Sequence, residues 1–79
     1  MSNKKIKICL KDFDMAVKFI ESTNSYISDI DIYDGSTVLD AKSTCAVINL
    51  PFNKDLYVKI ISDNVEECRR FDSEMEMYR

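Results

Sequence analysis

The chain has 79 residues, of which 46% are hydrophobic and 32% charged, with one glycine and one proline. This length allows a single small domain over residues 1–79 and excludes a multidomain enzyme with a deep substrate cavity. Eleven basic and 14 acidic residues give a formal net charge of −3, so no overall positive field attracts nucleic acid or an anionic membrane. Nucleic acid and membranes are therefore not expected as partners.

Histidine is absent, and the three cysteines, Cys9, Cys45 and Cys68, lie far apart without a CxxC spacing. Without imidazole, the chain has neither the commonest general base nor a histidine ligand for zinc. An odd number of scattered cysteines argues against a disulfide framework. We therefore expect a protein without metal or cofactor in the reducing cytoplasm, and the sequence shows no signal peptide or membrane-spanning stretch.

The first two predicted elements are a strand over Lys4–Cys9 and a helix over Met15–Asn24. Ile6 and Ile8 alternate with lysines, a pattern that is typical of a half-buried strand. The helix is predicted from apolar residues at i, i+3, i+4 and i+7, with Asp14 placed as its N-cap.

The middle of the chain predicts a hairpin and a short helix. The strands Ile27–Tyr33 and Thr37–Lys42 flank an Asp-Gly turn. Ser43 occupies the N-cap position of a predicted helix over Ser43–Leu50, and Pro51 ends this helix.

The last two predicted elements are a strand over Leu56–Ser62 and a helix that begins at Val65. Asp63 and Glu66 have the spacing of a capping box, and Glu66 is placed to pair with Arg70. The apolar stripe of this helix comprises Cys68, Phe71, Met75 and Tyr78. The interleaved strands and helices predict one α+β domain.

The segment from Ser25 to Ile61 carries the most specific similarity to a known family. It contains the Asp34-Gly35 turn and the run Ala41–Leu50, in which the pair Lys42-Ser43 is followed by apolar residues. These residues and the element order resemble the HPr family, the small phosphocarrier proteins of the bacterial sugar phosphotransferase system. The resemblance implies an HPr-like open-faced β-sandwich of the type β-α-β-β-α-β-α, with a four-stranded antiparallel sheet in the order 1-4-2-3 and the helices on one face.

The segment before the first helix departs from the HPr pattern. The family has a Gly-x-His-x-Arg-Pro stretch whose histidine accepts a phosphoryl group, whereas this sequence has a shorter stretch, Cys9–Met15. Counted back from the helix, Asp12 falls at the position of the histidine and Asp14 at that of the arginine. Two carboxylates at a helix N-terminus repel a phosphate. We therefore expect a degenerate active-site loop without phosphohistidine carrier activity, made of Lys11, Asp12, Phe13 and Asp14.

Ser43 is the candidate regulatory phosphorylation site. A phosphoserine at a helix N-cap faces free backbone amides and the positive end of the helix dipole. HPr-like proteins involved in carbon catabolite repression also lack the histidine and keep the regulatory serine, and this chain is similar to them in that respect. The simpler alternative is that Ser43 only caps its helix. The expected partner-binding surface around it consists of Lys42, Thr44, Cys45, Ile48 and Phe52.

The resemblance implies a non-catalytic, regulatory member of this family that binds proteins. Its implied partners are an HPr serine kinase, components of the phosphotransferase system or a catabolite-control transcription factor. One alternative is a phosphocarrier whose acceptor has moved to Asp12 or Cys9, although a structural thiol is the simpler interpretation of Cys9. Another alternative is an interaction domain that has the HPr fold and is unrelated to sugar transport.

Overall fold

The computed structural model describes residues 4–79 of the chain. The strands are β1 (Ile6–Ile8), β2 (Asp29–Asp34), β3 (Thr37–Asp40) and β4 (Leu56–Ile61). The helices are α1 (Phe13–Asn24), α2 (Thr44–Ile48) and α3 (Val65–Met75), and a 3-10 turn, Glu76–Tyr78, follows α3. The predicted sequence of elements is confirmed.

The four strands form one antiparallel sheet in the order β1-β4-β2-β3. Val58 of the central strand β4 lies opposite Ile6 of β1 on one side and Ile32 of β2 on the other. The β2–β3 hairpin turns at Gly35, whose φ of 60° is readily adopted by glycine. The order 1-4-2-3 implied by the resemblance is confirmed.

The core lies between one face of the sheet and the helices. Strand alternation places seven buried side chains on this face: Ile6, Ile8, Ile30, Ile32, Leu56, Val58 and Ile60. The apolar stripes of α1 and α3 cover it with Ala16, Phe19 and Ile20 and with Cys68, Phe71 and Met75. The opposite face of the sheet is open, which makes the fold an open-faced sandwich.

Helix α1 begins earlier than predicted, and its N-cap is Asp12 rather than Asp14. The Asp12 backbone is extended, with φ −155° and ψ 176°, and its carboxylate accepts the Met15 N–H at 2.8 Å. Asp14 is the second residue of the helix itself. A cap must precede the first helical residue, so the Asp14 side chain cannot serve as the N-cap. The prediction of the Asp14 cap is wrong.

Helix α3 is capped by Asn64, not by a capping box that starts at Asp63. The Asn64 Oδ1 accepts the N–H groups of Glu66 and Glu67 at 2.9 and 3.1 Å. The capping-box prediction is wrong because Asn64, the residue directly before the helix, already accepts these amides.

Arg70 pairs with a different acid from the one predicted. Its Nε lies 3.4 Å from Glu74 Oε2, one turn further along α3, and not against Glu66. The guanidinium also stacks on the Tyr26 ring, at 3.9 Å from the centroid. It therefore lies beside the α1–β2 loop. The predicted Glu66–Arg70 pair is therefore wrong.

Several elements are shorter than predicted at their ends. The first strand stops at Ile8, and the Cys9 N–H donates to the carbonyl of Tyr78 at 2.6 Å. Helix α2 stops at Ile48, and the Leu50 N–H closes a tighter turn onto Val47. Residue Ile27, predicted to begin a strand, precedes β2 and lies in a loop.

Candidate protein-binding surface

The N-terminus of α1 carries the loop Lys11–Asp14, which is predicted to be a degenerate active-site loop. Asp12 and Asp14 are exposed, the first as the cap and the second in the first turn. Phe13 lies between them, and 55% of its surface is exposed. A depression of about 390 Å³ beside the loop is lined by Lys11, Asp12, Asp14, Met15, Lys18 and Met77. The helix end is therefore occupied by carboxylates, with a large aromatic side chain presented to solvent.

The α2–β4 loop lies beside the loop that precedes α1. The Asn53 N–H donates to the Leu10 carbonyl at 2.8 Å, and Asn53 has a left-handed backbone with φ 58°. Asparagine tolerates this conformation better than most residues, so it can turn the chain here. The neighbouring Phe52 is 41% exposed. Asn53 was not among the predicted site residues, and its only signal in the sequence is an asparagine shortly after Pro51.

Ser43 is the N-cap of α2, as predicted. Its backbone is extended, and its Oγ accepts the Ala46 N–H at a long distance of 3.4 Å. The serine is half-buried, while Thr44 and Cys45 in the next turn are exposed and Ile48 is half-buried. Three of the five predicted surface residues thus lie together along α2.

Helix α2 is anchored at its start to the far end of α1. The Thr23 hydroxyl donates to the Ala41 carbonyl at 2.9 Å, and the Asn24 side-chain amide donates to the Lys42 carbonyl at 3.2 Å. Twelve helical residues make α1 about 18 Å long. Ser43 and Asp12 therefore lie at opposite ends of α1. The loop after α2, which contains Phe52, lies at the Asp12 end.

Lys42 is used inside the molecule. Its ammonium donates to the carbonyl of Tyr26 at 2.7 Å and lies 3.4 Å from that of Ser28. The side chain is half-buried. Its charge is therefore committed to the α1–β2 loop and is not presented on the surface of α2.

Cys9 lies in a different depression from Asp12. The half-buried thiol belongs to a groove of about 500 Å³ along β1, together with Lys5, Lys7, Asp55 and Arg79. Cys45 is exposed and Cys68 is buried, as expected.

Within residues 4–79, no helix is long and apolar enough to cross a membrane. No three cysteine or carboxylate side chains in this part of the chain converge on a position that could hold a metal ion.

No protein-family model and no curated protein matches this sequence. Solved structures that are similar to the whole fold include two HPr proteins. HPr-C-His from Thermoanaerobacter tengcongensis is 18% identical, with a TM-score of 0.70 over 92% of this chain and 91% of that chain. The phosphocarrier protein HPr from Bacillus anthracis str. Ames is 13% identical, with a TM-score of 0.71 over 96% of each chain.

These similarities cover nearly the full length of both chains, and the sheet order is the one that the resemblance implies. At 18% and 13% identity, the similarity establishes the fold alone. The chain therefore has the HPr fold, with an acidic α1 N-terminus and no histidine anywhere in its sequence.

Proposed function

We propose that this protein is a cytoplasmic, regulatory protein-binding module with the HPr fold and that it does not carry a phosphoryl group on histidine. The observation that carries this proposal is the α1 N-cap. Asp12, which falls where the resemblance implies the histidine, accepts the Met15 N–H instead.

The chemistry of this helix end favours binding over phosphoryl transfer. A phosphoryl group bound here would need the free amides of the first turn, and the Asp12 carboxylate already engages one of them. Asp14 adds a second negative charge in the same turn. Moving the acceptor to Asp12 would also remove a cap that contributes about 1 kcal/mol. These points argue against the alternative in which Asp12 replaces the histidine.

The proposed contact surface combines the start of α1 with α2 and the loop after it. Its aromatic residues, Phe13 and Phe52, are 55% and 41% exposed and lie on segments joined by the Asn53–Leu10 hydrogen bond. Aromatic side chains, phenylalanine included, are enriched in protein interfaces relative to the rest of the surface. The proposed partners are components of the phosphotransferase system, an HPr serine kinase or a catabolite-control transcription factor.

Phosphorylation of Ser43 is the proposed switch of this surface. The modification would add nearly two negative charges beside the exposed Thr44 and Cys45. Because the serine already caps α2, the helix can keep its start while the surface changes charge.

Intact mass spectrometry tests the switch. One tube contains the protein, ATP and an HPr serine kinase, and the other contains phosphoenolpyruvate and the first enzyme of the phosphotransferase system. We expect one phosphate in the ATP tube, absent from Ser43→Ala and retained by the matched control Thr44→Val, and none in the other tube. A phosphate from phosphoenolpyruvate would overturn the proposal in favour of a carrier, and its sensitivity to hydroxylamine would identify an acyl phosphate.

Calorimetric titration with each proposed partner tests the surface. We expect Phe13→Ser and Phe52→Ser to weaken binding about tenfold or more. The control Val38→Thr changes a side chain that is 53% exposed on strand β3, away from this surface, and should leave the Kd unchanged. Absence of binding to every one of these proteins would instead favour an HPr-fold interaction domain unrelated to sugar transport.

A further inference from the structure

The face of the sheet that points away from the helices carries a row of large side chains from all four strands. Tyr57 of β4 lies directly opposite Lys7 of β1 on one side and Tyr33 of β2 on the other. Tyr33 in turn lies opposite Val38 of β3. Side chains that are directly opposite on adjacent strands have their Cβ atoms about 5 Å apart, so each contacts the next. We refer to these four residues as the tyrosine row.

The apolar part of the tyrosine row is exposed. Ile32 and Val58, which are neighbours of the two tyrosines along their strands, are completely buried, so Tyr33 and Tyr57 point away from the core. Tyr57 is 42% exposed, Val38 is 53% exposed and Tyr33 is half-buried. These side chains form a continuous apolar strip across three strands. Contiguous strips of this kind mark interaction sites, whereas scattered apolar side chains do not.

The charges beside the tyrosine row are sorted by strand. In the next row, Lys59 of β4 lies opposite Asp31 of β2, and Asp31 lies opposite Asp40 of β3. The Lys5 ammonium lies 4.1 Å from the centroid of the Tyr33 ring, so Lys5 also projects over this face. We call the half formed by β1 and β4 the positive half and the half formed by β2 and β3 the negative half.

The other charged groups near this face do not change that division. Asp55, directly before β4, lies 3.5 Å from Lys7 and pairs with it at one end of the positive half. Asp29, at the start of β2, projects from the same face as Asp31 and adds to the negative half. Lys54 and Asp34 form a pair at 2.6 Å, which leaves no net charge between them.

A two-fold axis parallel to the strands makes this face complementary to itself. With the axis between β4 and β2, a second copy meets the face with its two halves exchanged, so each positive half covers a negative half. Lys59 then faces Asp31 of the partner subunit, and Tyr57 faces Tyr33 of the partner subunit. Such an interface uses the same surface of both copies, and two sheets packed face to face with nearly aligned strands are a common arrangement.

Other occupants match only part of the face. A nucleic acid or an anionic membrane would meet the aspartates of the negative half. Aromatic side chains on the central strands of a sheet can stack nucleobases, but here the acids beside them oppose the phosphates. A protein segment of one charge sign would be repelled by one of the two halves. A second copy satisfies both halves and covers the tyrosines.

The size of the face indicates how strong the association is. Four strands about 4.8 Å apart, with about five residues each, give a face about 15–20 Å across. This is at the lower end of the range for specific interfaces, so the dimer should be weak and concentration-dependent. The helices lie on the other side of each sheet, and the dimer therefore leaves both α1–α2 surfaces accessible.

We propose that the open face of the sheet is the interface of a symmetric dimer, in which a second copy of this chain packs sheet to sheet. The tyrosine row supplies the apolar centre of the interface. The charges of Lys59 and Asp31 select the orientation that covers each positive half with a negative half. This inference is independent of the proposed role of the α1–α2 surface.

Sedimentation of the full chain at concentrations up to about 1 mM tests the dimer by exchange of charge. Lys59→Glu and Asp31→Lys each bring like charges together across the two-fold axis, and each should raise the Kd about tenfold or more. An equimolar mixture of the two variants should dimerise again. In the mixed dimer, the introduced glutamate faces the introduced lysine, and the unchanged Asp31 faces the unchanged Lys59.

Three further variants separate the interface from folding and from total charge. Lys59 and Asp31 also lie opposite each other within one copy, so the double variant Lys59→Glu/Asp31→Lys restores that internal pair and should dimerise like the parent. Arg69→Glu makes the same charge change at an exposed position of α3, on the other side of the sheet, and should leave the Kd unchanged. Tyr57→Ser removes a ring without a change of charge and should weaken the dimer.

The outcomes that contradict the dimer are equally specific. A parent protein that stays monomeric at about 1 mM would overturn the proposal. So would equal weakening by Arg69→Glu, or a mixture that fails to dimerise although the urea midpoints show both variants to be folded. If the parent stays monomeric and the amides of the tyrosine row shift on addition of oligouridylate, the face binds single-stranded nucleic acid instead of a second copy.

Discussion

At the residue scale, the conformation of the α1–β2 loop depends on side chains that are distant in sequence. Glu67 lies 40 residues from Ile27, yet its carboxylate accepts the Ile27 N–H. The carboxylate is suited to this role because one of its oxygens accepts the Ile27 N–H and the other accepts the Ser28 hydroxyl. A neutral amide would offer only one acceptor.

The resulting prediction concerns pH. The Ser28 hydroxyl, followed by the Ile27 N–H, lowers the pKa of Glu67 below its ordinary value of 4.5. The contribution of this carboxylate to stability is therefore complete above that pH and is lost as the pH falls through the depressed value. We expect the Ile27 amide proton shift to titrate in acid with a midpoint below 4.5. In Glu67→Gln this titration should vanish, and heteronuclear relaxation at pH 7 should show a more mobile loop.

The neighbouring substitution Glu66→Gln is the matched control, since Glu66 is exposed on the same helical turn and does not hold the loop. It should leave the Ile27 titration unchanged. If the Ile27 amide shift still titrates in Glu67→Gln, the titrating group is not the Glu67 carboxylate, which contradicts the prediction.

At the element scale, the helix starts show how closely spaced polar residues compete for one role. Both α1 and α3 have two residues with capping chemistry near their predicted start, Asp12 and Asp14 in one case and Asp63 and Asn64 in the other. The cap is the residue whose backbone is still extended when the helix begins, and this depends on the path of the preceding chain. Composition and spacing alone do not distinguish the two members of each pair.

The caps of α3 give a paired prediction. Asn64→Ala removes the acceptor for the Glu66 and Glu67 amides and should lower the free energy of unfolding by about 1 kcal/mol. Asp63→Ala, one residue earlier, should change it by no more than about 0.5 kcal/mol. Urea denaturation followed by circular dichroism measures both. The opposite ranking would show that the capping box predicted from the sequence forms in solution.

At the scale of the whole molecule, stability depends on one thin core. A domain of 79 residues is expected to have a free energy of unfolding of about 4–12 kcal/mol. Phe19 is completely buried, and its ring meets that of Tyr78 edge to face, with centroids 5.4 Å apart. This contact ties α1 to the 3-10 turn at the end of the described chain.

Two phenylalanines of α1 allow a buried and an exposed position of the same helix to be compared. Phe19→Ala should lower the free energy of unfolding by about 3–5 kcal/mol, a large part of the total, because it leaves a cavity between α1 and the sheet. Phe13→Ala removes a side chain that is 55% exposed and should change it by about 0.5 kcal/mol or less. Chemical denaturation measures the difference, and a comparable loss in Phe13→Ala would show that Phe13 is part of the core and not free for a partner.

The sequence by itself determined the type of each element and the face that it buries. Alternation in segments such as Leu56–Ile61 and helical spacing in Val65–Met75 follow from the periods of the strand and the helix, so the buried positions can be read without coordinates. Ser43 was identified as a cap in the same way. The strand order came from resemblance, since local periodicity does not specify which strands become neighbours.

The tertiary structure alone decided how these elements combine into surfaces. It placed Ser43 and Asp12 at opposite ends of α1, joined Asn53 to Leu10, and directed the Lys42 ammonium into the α1–β2 loop. These contacts form between segments that are remote in sequence, so they depend on the folded path of the whole chain and leave no periodic signal. For the same reason the exposure of Ile27 could not be read from the sequence, where its neighbourhood has the pattern of a strand.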